Sequence, residues 1–282
     1  MKRLFLSVAA AFLLLPAFGA HAHAQAPRTW VSGVGNDANP CRRTAPCRTF
    51  AGAILKTAAG GEIKVLDSGE FGAVTITKPI TLSSEGFDAS VLESNTNAII
   101  VNVPNATDVV VIRGLDIEGM GTGLSGITVL TGGTVQVEEC TIHDFTESGI
   151  NFAPAVADSQ LHVVDTIVRN NGNFAGSTGE GILVAPTFTA TASFDNVHLE
   201  NNVAGLKAQG ISNTTVNDSI ATYNVFAGFS ASASPAVLNI ERSVAANNGT
   251  GVVCAAGSTV RIGNTVISDN GSPVTPGACS SF

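Results

Sequence analysis

Three features of the sequence predict an all-β chain wound as a parallel β-helix, a solenoid of about nine three-strand coils with an N-terminal capping helix. The first is a repeat. Apolar pairs spaced by two recur at Val110/Ile112, Val135/Val137, Leu161/Val163, Ala192/Phe194, Thr214/Val216, Leu238/Ile240 and Val260/Ile262, and their second members lie 25, 26, 31, 22, 24 and 22 residues apart. Self-similarity at such a period marks a solenoid. The second is the pattern inside each unit, three strands of three to five residues with period-2 alternation and no helical run. The third is composition. Of 282 residues, 44% are hydrophobic and 13% charged, and 30 are glycine, which excludes a coiled coil, a charged helical bundle or a disordered polyelectrolyte.

Taken from the N-terminus, the chain opens with Lys2 and Arg3, an apolar stretch over residues 4–18 and the small-x-small series Ala22-His23-Ala24. This reads as a secretory signal peptide over residues 1–24, with Gln25 as the first mature residue and a periplasmic or extracellular destination, bacterial in style. The stretch is too short to span a bilayer comfortably. Export makes disulfides available. Cys41 and Cys47, six apart, are expected to close a small loop, Cys254 and Cys279 to pair near the C-terminus, and Cys140 to remain a free thiol.

A lead-in segment, 25–61, follows. Thr49 suits a helix N-cap, Phe50, Ala53, Ile54 and Ala58 recur at helical spacing, and Gly60-Gly61 is a stop signal, so a helix over 49–59 is expected to plug the open end of the core. The coils occupy 62–270. Aligning the units gives further columns. Gly114, Glu139, Asp165, Asn196, Asp218, Arg242 and Asn264 stand where a tight bend would visit the left-handed region, a conformation comfortable for Gly, Asn and Asp. Leu115, Cys140, Thr166, Val197, Ser219, Ser243 and Thr265 form one inward column and Ile117, Ile142, Val168, Leu199, Ala221, Ala245 and Ile267 another. A variable Asn- and Gly-rich loop and a Gly-apolar step (Gly126-Ile127 through Gly251-Val252) complete each unit. Leucine-rich repeats need an L-x-x-L-x-L spacing that is absent, and a β-sandwich would place hairpin turns between longer strands. Residues 271–282 form a short tail.

The repeat, together with the lead-in Trp30-Val31-Ser32 through Pro46-Cys47-Arg48-Thr49-Phe50 and the series Gly61-Glu62-Ile63-Lys64-Val65 to Lys78-Pro79-Ile80-Thr81-Leu82, resembles secreted right-handed parallel β-helix proteins of the pectin-lyase-like superfamily. The resemblance covers nearly the whole mature chain. It implies a right-handed coil, a carbohydrate ligand, and binding along the strand that follows the variable loop. That superfamily holds lyases, hydrolases, esterases and inert shafts, so the fold alone does not choose among them.

On that strand the outward positions are Thr128, Asn151, Leu183, Lys207, Ser230 and Val253. The adjoining loops add Glu118, His143, Asp144, Glu147, Arg169, Asn170, Glu180 and Glu200, and the longest loop, 170–180, carries Phe174 as a sugar-stacking platform or as loop packing. The paired Asp motif, Gly-His-Gly and Arg-x-Lys of polygalacturonase-like hydrolases are absent, and an inverting mechanism needs two carboxylates as acid and base. A calcium-dependent lyase would draw on Asp144, Glu147 and Glu180 as metal ligands and on Lys207, Arg169 or His143 as base, with Asn151, Asn170, Phe174 and Glu180 binding sugar. Over 109–270, five basic side chains face fourteen acidic ones, so a polyuronate would be repelled unless calcium bridged it. A net charge of −8 also argues against nucleic acid.

The expectation is therefore a secreted, non-spanning β-helix that binds surface glycan or serves as a structural or adhesive module without catalysis. No cofactor is required for that role. The alternative is a polysaccharide lyase or glycoside hydrolase with a degenerate site. Ile167, Ile220, Val244 and Val266 share an outward column and offer a face for self-association.

Overall fold

The computed structural model describes residues 25–233 and 235–275 and the backbone of 279–281. The expected signal peptide lies outside the described residues, as does the side chain of Cys279 on which the expected pairing with Cys254 depends.

The described residues wind into three parallel sheets of eleven, nine and nine strands. One coil is typical. Val109–Arg113 joins the first sheet, Leu115–Glu118 the second and Ser125–Thr131 the third. Each strand pairs in register with its counterpart one coil on, so Val110, Val135 and Leu161 stack, as do Ile117, Ile142 and Val168. The alternation read from sequence is the inward/outward alternation of the coil: Ile112, Leu115, Ile117, Ile127 and Val129 are all buried in one continuous core. Among the described residues no helix is long and apolar enough to cross a membrane.

Two corners shape the coil. Between the first and second sheets the chain turns on a single residue. Gly114, Glu139, Asp165, Asn196, Asp218, Arg242 and Asn264 all have positive φ, from 44° to 69°. Arg242 is not a natural occupant of that region. Its guanidinium is held by both oxygens of Asp218 on the neighbouring bend, at 3.0 and 2.7 Å.

The second corner, between the second and third sheets, contains a feature the sequence alignment passed over as a variable loop. Asn171, Asn202, Asn224, Asn248 and Asn270 stack one per coil. Each amide Nδ2 donates to the Oδ1 of the next, at 3.0, 3.2, 2.9 and 3.0 Å. The same Oδ1 atoms also accept a backbone N–H from the preceding coil, as in Asn171 N to Asn202 Oδ1 at 3.0 Å. Asparagine fits because it carries both donor and acceptor on one short plane. The ladder stops at Phe145, whose backbone N–H still donates to Asn171 Oδ1 but whose ring has no amide to pass on. The glycine of the Gly-apolar step packs beneath this ladder. A Cβ at Gly205 would sit 2.4 Å from the Gly228 carbonyl oxygen and 3.1 Å from Asn224 Nδ2, which accounts for the glycine column.

The capping helix is shorter than expected. It spans Phe50–Ile54, with Thr49 Oγ1 accepting from Gly52 N at 2.9 Å as the N-cap. It ends at Leu55 because residues from Thr57 onward are taken into the first sheet, where Thr57–Val65 pairs with both Ala26–Val31 and Ile80–Ser83. Phe50, Ala53 and Ile54 still plug the core end, and Phe50 meets Phe71 with ring centroids 5.4 Å apart. Cys41 and Cys47 are disulfide-bonded, and Cys140 is free and buried. Strand pairing runs past residue 270, with Ser272–Val274 and Cys279–Ser281 adding to the third and first sheets.

Candidate functional site

The outward face of the second sheet ends in a register row that places Glu118, His143, Arg169 and Glu200 on successive coils. In sequence these residues lie 25 to 31 apart, and only the coil brings them together. His143 is nearly buried. Its Nδ1 lies 2.7 Å from Asp144 Oδ2 and its Nε2 3.0 Å from Asp116 Oδ1. The hydrogen bond to Asp116 raises the imidazole pKa above its ordinary value; burial opposes this, the Asp144 bond adds to it and the nearby Arg169 charge opposes it. The Arg169 side chain has no salt-bridge partner among the described residues. Asp144 itself sits in the left-handed region at φ 61°, and that turn aims its carboxylate back at His143.

Beside this row lies a groove of about 570 Å³, walled by Glu118, Met120, Asp144, Asn170, Phe174 and Asn201 among others. Asp144, Asn170 and Phe174 were expected from sequence to serve a site, and all three line it. Phe174 is 47% exposed, so its ring faces the opening rather than the core. Met120 and Asn201 were not singled out. Both belong to the same corner, and the signal for them was their position one or two residues after Glu118 and Glu200.

Lys207 and Glu180 belong to a separate cleft of about 280 Å³ on the third sheet, which also takes in Phe226, Ser230 and Val253. Residues 172–179 form the ridge between the two clefts, contributing Gly172 and Phe174 to one wall and Ser177, Thr178 and Gly179 to the other. Lys207 Nζ lies 2.8 Å from Glu180 Oε1, with Glu180 buried. Asn151 is on the same sheet but two coils away, with Leu183 between it and Lys207. Its Oδ1, like Thr128 Oγ1 next to it, is buried with no hydrogen-bond partner among the described residues.

The metal ligands expected from sequence, Asp144, Glu147 and Glu180, do not form one cluster. Among the described residues the group of potential ligands is Glu118, His143 and Asp144, whose ligand atoms all lie within 4.8 Å of one another. Glu147 is exposed and receives a long contact from Ser125 Oγ, at 3.5 Å. Calcium takes six to eight oxygens, so a set led by an imidazole and two carboxylates does not fit it. The apolar column is only partly open: Ile167 and Val266 are exposed, whereas Ile220 and Val244 are half-buried.

Comparison with solved structures gives the same fold at low identity. The pectate lyase Pel9A aligns with a TM-score of 0.61 and 14% identity, over 92% of this chain and 80% of that one. XylC in complex with xylose aligns with a TM-score of 0.68 and 10% identity, over 86% of this chain and 66% of that one. An alginate lyase from Paenibacillus sp. str. FPU-7 aligns with a TM-score of 0.58 and 16% identity, over 91% and 98%. At such identities the likeness is one of fold. No curated protein matches the sequence. The family model described as "Right handed beta helix region" matches residues 125–279, the stretch that holds the corner ladder, the smaller cleft and all of the larger groove's wall except Glu118, Met120 and Gly121. That match covers more than half of the chain, which therefore belongs to the right-handed β-helix family.

Proposed function

We propose that this chain is a secreted, non-catalytic glycan-binding protein that holds a polysaccharide across its two clefts. The observation that carries this reading is the pair of clefts on either side of the 172–179 ridge, each offering a half-exposed aromatic ring, Phe174 in one and Phe226 in the other. Sugar rings present flat apolar faces that stack on aromatics, while amides and carboxylates such as Asn170, Asn201 and Glu118 suit their hydroxyls. A neutral polymer fits best, because Glu118 and Asp144 would repel uronates. The pairing of Lys207 with Glu180 also supports binding over catalysis, since a tethered ammonium is a poor proton acceptor. The fold is shared with XylC, which is described in complex with xylose. The Cys41–Cys47 bridge suits an oxidising compartment, as in bacterial export.

The test is affinity electrophoresis of the full chain in gels cast with xylan, other neutral polysaccharides, pectate or alginate. Retardation by a neutral polymer is expected, with at least a tenfold loss of affinity in Phe174→Ala and Phe226→Ala. Retardation unchanged in both variants would sink the reading. An alternative, lyase chemistry, draws on one observation: among the described residues Arg169 makes no salt bridge, and it stands beside His143 and the carboxylates. Release of unsaturated product from pectate or alginate, abolished by Arg169→Ala, would favour that alternative.

A further inference from the structure

We propose that Glu118, His143 and Asp144 form a binding site for a borderline divalent metal ion of the zinc class, open toward the larger groove. The three residues come from adjacent coils, and their ligand atoms lie within 4.8 Å of one another. Zinc binds imidazole nitrogen and carboxylate oxygen at about 2.0–2.2 Å in a tetrahedron, so two ligand atoms of one ion stand roughly 3.4 Å apart. A small rotamer change in Glu118 closes that difference. Its carboxylate has no hydrogen bond or ion pair to give up among the described residues.

The second observation is the residue behind the histidine. Asp116 is outside the ligand group, and its Oδ1 takes the Nε2 side of the ring at 3.0 Å. A metal-ligating histidine almost always donates its far N–H to a carboxylate, backbone carbonyl or water, which fixes the tautomer and makes the near nitrogen the stronger ligand. Here the near nitrogen is Nδ1, and it already faces Asp144 Oδ2 at 2.7 Å. For both atoms to hold a metal, they would part to about 3.4 Å and the proton they share would leave to solvent.

The third is access. Glu118 and Asp144 both line the groove of about 570 Å³, so three protein ligands would leave a coordination position facing open space. The imidazole selects for zinc-like ions over calcium, which prefers a shell of oxygens. The inference does not depend on glycan binding, because it concerns the ion alone.

The experiment is titration of the full chain with Zn²⁺ by calorimetry, repeated with Ca²⁺. The imidazoles of His21 and His23, in the expected signal peptide, can also take up zinc, so the readout is the site lost on substitution. Glu118→Gln and Asp144→Asn are each expected to weaken one site at least tenfold; Asn tolerates the left-handed backbone at 144. Asp116→Asn should weaken it by about 10–100-fold without removing a ligand. His198→Gln, at the neighbouring surface histidine, should leave it unchanged. Thermal unfolding of Glu118→Gln should match the parent, which keeps the test independent of folding. Zinc affinity unaltered by Glu118→Gln, or displacement of zinc by equimolar calcium, would overturn the proposal.

Discussion

Lys207 reaches back one coil to Glu180, its Nζ 2.8 Å from Oε1, across the mouth of the smaller cleft. The carboxylate is buried and the ammonium about one-third exposed. The pair therefore anchors the cleft wall where the 172–179 ridge rejoins the third sheet. Removing only the lysine would strand a buried carboxylate, which costs more than replacing both partners. Lys207→Met should destabilise the fold more than the double variant Lys207→Met/Glu180→Gln. A coupling energy of about 1–3 kcal/mol is expected from urea denaturation of the four members of the cycle. Additive effects would show that the two side chains do not depend on each other.

The asparagine ladder makes a sharper stability prediction. Asn202 donates through Nδ2 to Asn224 Oδ1 and to the Val168 carbonyl, and its Oδ1 accepts from both the backbone and side chain of Asn171. Asn202→Leu is close in volume but would leave the buried Asn171 backbone N–H without its acceptor and take a donor from the Val168 carbonyl and from Asn224 Oδ1. Each buried polar group left unpaired costs about 1–3 kcal/mol, so a loss of at least about 2 kcal/mol is expected. Asn247→Asp, on the exposed side of the same corner, keeps a residue that tolerates the φ of 57° there, serves as the comparison and should lose far less. Equal losses would mean that the ladder adds nothing beyond its backbone turn.

The sequence carried the fold and blurred the site for a physical reason. Stacking repeats the same demand once per coil, so bends, inward columns and the Gly-apolar step appear as aligned residue types. The ladder was equally periodic, yet it was hidden because loop lengths differ before and after it: residues 172–179 separate Asn171 from the third sheet, whereas Asn202 is followed almost at once by Leu206–Ala208. The site has no such repetition. Glu118, His143 and Arg169 share a row only because of coil register, and nothing in their local sequence says which coil neighbours face one groove. The long loop was legible as an interruption, but its role as a ridge dividing Lys207 from His143 required coordinates. The capping helix was overextended for a related reason. Ala58 fits a helical period, but sheet pairing of Thr57–Val65 outweighs local propensity.

Cys140 lies in the inward column between Leu115 and Thr166 and is buried, its Sγ near the carbonyl oxygens of Glu138 and Ile112. Burial pushes its thiol pKa up to about 12, against three weak backbone hydrogen bonds that lower it. The thiolate is the reactive species, so the native protein should be inert to maleimide and disulfide reagents at pH 8 and should label only on unfolding. Cys140→Ser should cost little stability, since Ser219 and Ser243 already occupy this column with their hydroxyls bonded to backbone. Native labelling within minutes would place the thiol at the surface.

Asp37 clips the capping helix onto the lead-in loop. Its Oδ1 accepts from Arg48 N at 2.8 Å and Thr49 N at 3.0 Å, and its Oδ2 accepts from Thr49 Oγ1 at 2.8 Å. Gly52 leaves room for it: a Cβ there would lie 2.2 Å from Asp37 Oδ1. Partial burial pushes the carboxyl pKa up, but the bonds from Thr49 and Arg48 and the charge of Lys56 outweigh it, and the net shift is downward from 3.8. A depressed folded-state pKa adds stability that is fully present above the unfolded value and is lost as pH falls through the folded one. The capping helix should therefore loosen below about pH 4, before the coils do, because these contacts involve only the chain's first fifty residues or so. Asp37→Asn should remove most of that acid dependence while keeping one acceptor, and Gly52→Ala should mimic the loss at neutral pH. Amide hydrogen exchange of residues 48–55 between pH 3 and pH 6, corrected for intrinsic rates, measures it. Protection in this segment that is insensitive to both pH and Asp37→Asn would show that the Phe50 and Ile54 packing alone holds the cap.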